Sequence, residues 1–416
     1  MESGLDVPLN PKEERGWVDR TFSALSPGSV RGSIFTVCTI TVGPSLLMPY
    51  SFSHTGICLG LLLILLGAFT FKFYYSVMVK AFDCSLEYTY VGAMEFFYGS
   101  CMRRLVELSI ILLLFGVMCA YEAVVVENTL GLLSEFNLVV QESQGVRIAV
   151  NAFLVVAVLA PLSLGEQLSR FRYSNAICIT CVVYILAMIT TEAPFYISEN
   201  FNYSELKLVN LDDQVATVFS IMLFSFGFSA AVPVVYAELT QRSYRRMSKV
   251  IDRSILFAAL LYSLIGILGY LSYMGNVPEQ VTLRGSLHPV NHLSIVISKV
   301  LVIVSLSQVL ILCVVPLRLS IEQMICGVNF SYSCCRFYWV TFGIQVSIFC
   351  VCTVFPNSIS YFKLLGGLFS IPTSILFPAL MHWKVEKSYY KRLGCLVWSA
   401  LLSFVGIMAS LKTTSK

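Results

Sequence analysis

The chain has 416 residues, of which 57% are hydrophobic and only 12% are charged. Soluble domains carry about 25% charged residues, so this composition excludes an ordinary soluble protein and indicates several membrane crossings. The apolar runs are long and continuous, which favours helices over the short alternating strands of a β-barrel. The formal net charge is only +4, and we expect the lipid bilayer, with no nucleic acid, as the surroundings of this chain.

The first thirty residues are polar, and residues 1–31 are predicted to form a cytosolic tail without a cleavable signal peptide. Eleven apolar runs follow, each close to the ~20 residues that a membrane-crossing helix requires. These predicted spans, numbered 1 to 11 below, are 32–53, 56–80, 104–128, 147–164, 173–192, 214–238, 252–274, 293–318, 338–355, 357–382 and 394–411.

Lysine and arginine set the expected orientation of the spans, because cytosolic loops are enriched in both residues. With a cytosolic N-terminus, the inner segments hold twenty of them and the outer segments only five. An odd number of spans then places the C-terminus outside the cell or in a lumen. On this topology the sequon at Asn202 lies in an outer loop and is a candidate glycosylation site, whereas the sequon at Asn329 lies inside.

No segment carries a recognisable catalytic motif, and the loops are too short to hold a soluble catalytic domain. An enzyme is therefore not expected. Cys178 and Cys181 form a C-x-x-C, but they lie in an apolar helix without a histidine partner. We predict no cofactor and no structural or catalytic metal.

Span 1 contains the sequence T-I-T-V-G-P-S-L-L-M-P from Thr39 to Pro49. Pro44 and Pro49 have no backbone N–H, and the residue before a proline is disfavoured in the α conformation. The pattern predicts an interrupted helix at Gly43-Pro44-Ser45, with a simple proline kink as the alternative. Because unpaired backbone groups are costly in hydrocarbon, an opened segment must be buried in protein or line a cavity.

Span 6 repeats this pattern, since Gly227 and Ser229 precede Pro233, which predicts a weakened helix from Gly227 to Ser229. Spans 1 and 6 are five spans apart, so the second must enter the membrane from the opposite side. Paired interrupted helices of opposite direction are typical of inverted-repeat secondary transporters, whose substrate lies where the two helices face each other.

The two openings offer complementary partial charges. Helix N-terminal N–H groups near Ser45 and Leu46 favour an anion, and freed carbonyl groups on span 6 favour a cation. An amino acid satisfies both, with its carboxylate on span 1 and its ammonium on span 6. The predicted substrate-binding residues are Gly43, Pro44, Ser45, Leu46, Phe226, Gly227, Phe228 and Ser229.

A coupling ion has two candidate sites. Thr39, Val42, Ser305 and Ser307 on spans 1 and 8 could offer oxygen ligands to Na⁺, although hydroxyl groups in membrane helices often bond their own backbone. Glu122 in span 3 could carry H⁺, since ionisable residues at membrane depth are functional candidates. Its neighbour Glu127 is a weaker candidate, and both carboxyl groups could instead lie near the outer headgroups.

The segment Gly43 to Tyr50 resembles the glycine-rich motif of the amino acid/auxin permease (AAAP) family of the APC superfamily. The span 6 signature of that family is matched at Phe224, Phe226, Pro233, Val234, Tyr236, Glu238 and Leu239, and Pro316-Leu317-Arg318 is similar to the end of its span 8. Ser45 replaces the second glycine of the family motif, and Thr39 replaces an asparagine found in sodium-coupled members.

This resemblance covers nearly the whole chain and implies an all-α polytopic LeuT-type fold. It implies a 5+5 inverted repeat with broken helices 1 and 6, built from residues 32–192 and 214–382, plus an eleventh helix at 394–411. It also implies secondary transport of amino acids, including neutral amino acids, coupled to Na⁺ or H⁺ and working by alternating access.

Two other functions remain open on the sequence. An amino-acid sensor would bind the substrate and signal through the cytosolic tail with little net flux, and a passive channel would conduct without saturation. We expect a monomer in the plasma membrane or in a vacuolar or lysosomal membrane. The sequence leaves open which of these membranes holds it, and which amino acids it binds.

Overall fold

The computed structural model describes residues 28–137, 143–164, 172–200, 205–212, 214–274, 277–283, 289–326 and 333–414, and within them every regular element is helical. The long helices are Ile57–Ser85, Ser100–Glu135, Arg172–Asn200, Tyr244–Tyr273, Pro289–Cys326, Cys334–Val354 and Tyr389–Thr414. The segmented ones are Val30–Ile40 with Gly43–Leu47 and Met48–Thr55, Gln144–Phe153 with Leu154–Leu159 and Ala160–Leu162, Val215–Ser225 with Ala231–Glu238, and Ser358–Leu365 with Gly366–Ser370, Pro372–Leu376 and Phe377–Val385.

Nine helices of the described residues are long and apolar enough to cross a membrane. They correspond to all predicted spans except 4 and 6, which are represented by the shorter apolar helices Gln144–Leu159 and Val215–Ser225. The all-helical membrane architecture is therefore as predicted, while the count of eleven crossings stays a prediction. The sequence did not anticipate the short helix Tyr90–Tyr98, which begins behind an N-cap hydrogen bond from Gly92 N to Thr89 Oγ1.

Span 1 is interrupted where proline removes a backbone donor. The first α-helix ends at Ile40, the chain bends at Thr41 and Val42, and Gly43–Leu47 forms a tight 3₁₀ turn with Pro44 near its start. A second α-helical segment, Met48–Thr55, then completes the span with Pro49 in its first turn, where the missing N–H costs nothing.

Span 6 is interrupted over five residues, between the helix that ends at Ser225 and the one that begins at Ala231. Pro233 lies in the first turn of the second segment. The opening at Phe226–Ala230 includes the predicted stretch Gly227–Ser229 and extends it by one residue on each side.

The two interrupted spans lie inside a bundle of complete helices. Span 3 packs along span 8, and span 7 packs against both pieces of span 1 and against span 5. The buried core is continuous through these helices and includes Phe52, Phe226 and Tyr262, all of which are completely buried. The bundle therefore encloses the opened backbone on several sides.

Spans 10 and 11 approach each other at a pair of glycines. A Cβ at Gly367 would overlap the carbonyl oxygen of Gly406 and the hydroxyl of Ser410, and a Cβ at Gly406 would lie 3.1 Å from the Gly367 Cα. Small residues permit this close contact between backbones, as at other helix crossings in membranes. Gly367 lies in a π-helical turn, Gly366–Ser370, within span 10.

The substitution Gly367→Ala is expected to lower the free energy of unfolding by about 1–3 kcal/mol, because the added methyl group overpacks this crossing. Thermal unfolding of the purified protein in detergent measures the effect. Gly394→Ala on span 11 is the control, since among the described residues no atom outside its own stretch of helix lies within 4 Å of the position that its Cβ would take. Equal stability of the two variants would contradict the proposed role of the crossing.

Candidate functional site

One buried tyrosine from span 7 joins the two openings, which are residues 41–47 in span 1 and 226–230 in span 6. The hydroxyl oxygen of Tyr262 lies 2.6 Å from the Thr41 carbonyl oxygen and 2.6 Å from the Ser225 carbonyl oxygen. Both carbonyl groups lie where helical hydrogen bonding stops, so they would otherwise be unpaired in the protein interior. Tyr262 thus gives the two opened segments a common hydrogen-bond donor.

A second tyrosine, from span 2, satisfies the opening of span 6. The Tyr75 hydroxyl donates to the Phe226 carbonyl oxygen at 2.7 Å and accepts from the Phe228 N–H at 2.8 Å. Its ring packs on the Phe228 ring with 4.3 Å between centroids. One side chain therefore replaces two backbone interactions that a continuous helix would have made.

Glycine is required at both openings because neighbouring side chains fill the space that a Cβ would occupy. A Cβ at Gly43 would overlap the ring of Tyr121 from span 3, and a Cβ at Gly227 would overlap the hydroxyl of Ser370 from span 10. Beside Gly227, Ser374 of span 10 donates to the Ser229 hydroxyl at 3.0 Å. The two openings are thus packed closely against spans 3 and 10.

A small cavity of about 50 Å³ lies between the two openings. Its lining combines backbone and side chains from spans 1, 3, 6 and 8, among them Thr41, Pro44, Tyr121, Ser225, Gly227 and Phe228, and toward the predicted inner side Thr36, Val234 and Pro316. Binding sites for small molecules commonly enclose about 300–1,000 Å³. The cavity is therefore smaller than such a site and would reach that size only if these elements separated.

Of the eight predicted substrate-binding residues, Pro44, Gly227 and Phe228 line this cavity. The remaining five, Gly43, Ser45, Leu46, Phe226 and Ser229, are buried in the openings beside it. The N–H and the hydroxyl of Ser45 both donate to the Val42 carbonyl oxygen, at 3.0 and 2.6 Å. A carboxylate would have to replace these local bonds in order to use the Ser45 donors.

The predicted sodium-site residues partly converge. On span 5, the Cys178 thiol lies 3.7 Å from the Ser305 carbonyl oxygen, and the Asn175 backbone oxygen lies 3.3 Å from the Thr39 hydroxyl. Thr39 also donates to its own helix at the Phe35 carbonyl oxygen, 2.9 Å away, and Ser305 donates to the Val302 carbonyl oxygen at 3.1 Å. Val42 and Ser307 are buried, and no contact places them in this group.

Asn175 on span 5 belongs to the same region. Its side-chain amide donates to the Thr36 hydroxyl at 3.0 Å, and its backbone oxygen lies 3.3 Å from the Thr39 hydroxyl. Its side-chain oxygen is buried and accepts no hydrogen bond from any residue that the structure describes. The Asn175 side-chain oxygen is therefore a further oxygen atom in the region of Thr39 that no described residue hydrogen-bonds.

Glu122 lies apart from both groups. Its side chain is 0% exposed, so it is enclosed by the bundle. Within the described part of the chain neither carboxyl oxygen has a hydrogen-bond partner. It does not line the cavity between the openings.

Glu127 is the centre of a polar network at the predicted outer ends of spans 3, 4 and 10, which we call the outer cluster. It accepts hydrogen bonds from Gln280, from the Ser358 N–H at 3.2 Å and from the Ser358 hydroxyl at 2.8 Å. Arg147 of span 4 lies 3.5 Å from the same carboxylate. The cluster thus joins three spans to the loop that carries Gln280.

Asn128 of span 3 also binds the loop that carries Gln280. Its amide nitrogen donates to the Gln280 side-chain oxygen at 2.9 Å, and its oxygen accepts from the Thr282 hydroxyl at 2.8 Å. Gln280, Thr282 and Asn128 are completely buried. The loop is therefore anchored on span 3 by hydrogen bonds that water does not reach.

Sequence reasoning missed Tyr75, Tyr262 and Asn175 as functional residues, and it named Glu127 as a weak candidate without its partners in the outer cluster. A signal existed for the tyrosines, because a hydroxyl group deep in an apolar helix requires a partner. Their partners, however, lie 151 and 221 residues away at Phe226 and Thr41. Asn202, the predicted glycosylation site, and Asn329 lie outside the described residues.

We expect Tyr262→Phe to reduce the free energy of unfolding by about 1–3 kcal/mol, because it leaves buried carbonyl groups at Thr41 and Ser225 without a donor. Thermal unfolding compared with Tyr338→Phe measures the difference, since Tyr338 is 57% exposed. If both variants unfold like the wild type, the hydroxyl does not support the openings.

The fold is similar to that of a solved structure, MhsT in complex with L-phenylalanine. The TM-score is 0.64 with 13% sequence identity, and the match covers 91% of this chain and 96% of the solved one. At this level of identity the likeness concerns the fold alone. It supports the coarse LeuT-type architecture expected from the sequence, without testing the inverted repeat or the helix count.

Sequence relatives include two proteins named "Putative amino acid transporter AAT1". The one from Plasmodium falciparum (isolate 3D7) is 25% identical over 288 residues, covering 66% of this chain and 45% of the relative. The one from Toxoplasma gondii (strain ATCC 50611 / Me49) is 26% identical over 271 residues, covering 65% of this chain and 37% of the relative. The match thus spans less than half the length of these relatives.

A family model described as "Transmembrane amino acid transporter protein" matches residues 26–415. The match includes both interrupted helices, the cavity between them and the outer cluster. It also agrees with the prediction that the chain is not an enzyme. The chain belongs to the transmembrane amino acid transporter family.

Proposed function

We propose that this protein is a secondary active transporter of amino acids, with neutral amino acids as the leading substrate class. The observation that carries the proposal is the meeting of two opened helices around one buried cavity. Non-helical backbone at membrane depth is costly, and it persists where it serves a binding site. The names of the relatives and the family description support the choice of amino acids over other small solutes.

The proposed substrate pose follows from the backbone directions. The carboxylate lies against the 3₁₀ turn Gly43–Leu47, where N–H groups at the start of a helical segment attract an anion. The ammonium lies against the carbonyl groups of the span 6 opening, near Phe226 and Ser229. Tyr121 and Phe228 flank the cavity and would contact the apolar side chain of a neutral amino acid.

Alternating access requires one end of the site to be closed while the other is open, and the two ends of the proposed site differ in this respect. On the predicted outer side the outer cluster joins spans 3, 4 and 10 to the loop at Gln280. Toward the predicted inner side the cavity lining continues to Thr36, Val234 and Pro316. We infer a conformation that is closed outside, and transport then requires the outer cluster to separate when the cavity faces outward.

The coupling ion is Na⁺ or H⁺, and each has its own residues. Na⁺ would use the Thr39 and Ser305 region with the free amide oxygen of Asn175, because oxygen ligands suit hard cations. H⁺ would use Glu122, the buried carboxyl group without a hydrogen-bond partner among the described residues. Ion-gradient experiments with Asn175→Leu and Glu122→Gln distinguish the two, since each should abolish only one form of coupling.

The remaining architecture is proposed on the sequence and on this site. Residues 32–192 and 214–382 form two inverted repeats, and 394–411 forms the additional helix. The N-terminus faces the cytosol, as the distribution of basic residues indicates. The protein acts as a monomer in the plasma membrane or in a vacuolar or lysosomal membrane.

Purified protein in liposomes is expected to take up labelled neutral amino acids saturably when a Na⁺ or H⁺ gradient is imposed. Gly43→Trp should abolish uptake, because Tyr121 occupies the space beside Gly43. Gly343→Trp is the matched control, since in the part of the chain that the structure describes no atom beyond its own helical turn lies within 4 Å of a Cβ at that glycine. Binding without flux under every gradient would identify a sensor, and non-saturable flux would identify a channel.

Glu127→Gln is expected to loosen the predicted outer side, because the outer cluster loses its charged acceptor. Hydrogen bonds to charged groups contribute about 1.5–3 kcal/mol, so amide exchange at Val281–Leu283 should accelerate about tenfold or more. Hydrogen-exchange mass spectrometry measures this change. Glu135→Gln, which removes the Lys299 and His292 ion pairs, is the control, and equal acceleration there would contradict a specific role for Glu127.

A further inference from the structure

Span 7 has one continuous exposed face that changes from basic to apolar along the helix Tyr244–Tyr273, which is long and apolar enough to cross a membrane. Six exposed side chains at intervals of three or four residues fall within about 100° of arc around the helix axis. They are Arg245, Lys249, Arg253, Leu256, Leu260 and Leu264. The opposite face, with Val250, Ala258 and Leu261, is buried in the bundle. Since the exposed leucines lie in the middle of the crossing helix and not at its end, hydrocarbon surrounds them.

Span 2 extends this lateral surface. Its helix Ile57–Ser85 packs along span 7 and exposes large apolar side chains on one face, at Leu62, Leu65, Phe69 and Phe73. Lys72 is exposed on the same face, and its Nζ lies 3.1 Å from Oδ1 of Asp252 on span 7. This ion pair joins the two exposed faces just below the first leucine of span 7. The apolar surface of both helices therefore begins beside the basic residues.

The three basic residues on the exposed face of span 7 are unpaired. Arg245, Lys249 and Arg253 make no hydrogen bond, ion pair or aromatic contact with any residue that the structure describes. The only acidic residue of the sequence from 242 to 253 is Asp252, and Lys72 offsets its charge. The face therefore presents three positive charges that are available to an anion.

The other two arginines of the same segment are engaged by the protein. The Arg242 guanidinium carbon lies 4.6 Å from the centroid of the Tyr88 ring. Arg246 donates to the Thr240 carbonyl oxygen at 2.7 Å. The unpaired cations are thus the ones on the face that continues into the leucines.

We propose that this face binds a phosphoinositide, with the phosphorylated inositol on Arg245, Lys249 and Arg253 and the acyl chains along the leucines of span 7. The three cations extend over about 12 Å of the helix axis, so one phosphate cannot contact them all. A headgroup with several phosphates fits them better than the single negative charge of phosphatidylserine. Clusters of basic residues at the cytosolic end of a membrane helix attract such lipids, and the predicted orientation places this end in the cytosolic leaflet.

The site lies outside the proposed substrate site, so lipid binding is measured directly and uptake is not the readout. Native mass spectrometry of the full-length protein, released from mixed-lipid nanodiscs, compares phosphatidylserine, phosphatidylinositol and phosphatidylinositol bisphosphate. Each contacted cation strengthens retention about fivefold, so the bisphosphate should be retained about tenfold or more over the other two lipids. Retention of the bisphosphate no better than that of phosphatidylinositol would overturn the proposal.

Soluble inositol trisphosphate separates a lipid site from a site for free phosphate, because it has the same headgroup chemistry without acyl chains. It is expected to displace the bisphosphate lipid poorly, since it leaves the leucine face uncovered. Competition as strong as that by the lipid itself would refute a lipid site.

Variants locate the preference on this face. Arg245→Gln, Lys249→Gln and Arg253→Gln should each lower retention of the bisphosphate about fivefold. Asp252→Asn removes the opposing charge and should raise retention, a gain that misfolding cannot produce. Unchanged retention in Asp252→Asn would contradict the proposal.

Arg104→Gln on span 3 is the matched control. Arg104 is also exposed at the predicted inner side and makes no contact with any other residue in the described part of the chain. Its replacement removes the same charge and should leave retention nearly unchanged. A loss equal to that of Arg253→Gln would show attraction to the net charge alone and would refute the site.

Discussion

The structure depends on the hydrogen bonding of backbone groups where two helices open inside the protein. A carbonyl group left unpaired in that environment costs several kcal/mol, so an interruption without compensation would not persist. Tyr262 and Tyr75 provide this compensation from spans 7 and 2. Each tyrosine extends a hydroxyl from a complete helix to the opened backbone, which keeps the openings ordered without closing them.

The two openings are held by two kinds of contact, hydrogen bonds and close packing. Tyr262 connects spans 1 and 6 through a single hydroxyl, so the two openings can change together if that contact is kept. Spans 3 and 10 contact the openings by close packing at Gly43 and Gly227, and span 10 adds one hydrogen bond from Ser374 to Ser229. Separating a packed contact breaks few hydrogen bonds, whereas separating the outer cluster breaks several buried hydrogen bonds. In the proposed transport cycle, opening the predicted outer side would require the hydrogen bonds around Glu127 to break.

The sequence predicts the places where the helices open, because proline and glycine act through local backbone chemistry. Pro44 and Pro233 located both interruptions to within a few residues. It also predicts the helical class, because apolar runs of membrane length have few alternatives. The ends of spans 4 and 6 lie within three residues of the predicted ones, although a run of apolar residues does not reveal the π turn Leu154–Leu159 inside span 4.

What the sequence could not supply are the contacts between distant residues. The roles of Tyr75 and Asn128 depend on partners more than 150 residues away, and no local pattern encodes them. Glu122 and Glu127 look alike in the sequence, yet one has no hydrogen-bond partner among the described residues and the other is the centre of a network. Only the packing of the bundle distinguishes these two carboxyl groups.

The central claim is that the two opened segments bind the substrate together. Hydrogen-exchange mass spectrometry of the wild-type protein, with and without a mixture of neutral amino acids, tests it most directly. We expect exchange to slow in the peptides covering residues 41–47 and 226–230 in the same substrate concentration range. Protection of only one segment, or protection elsewhere with both openings unchanged, would contradict the claim.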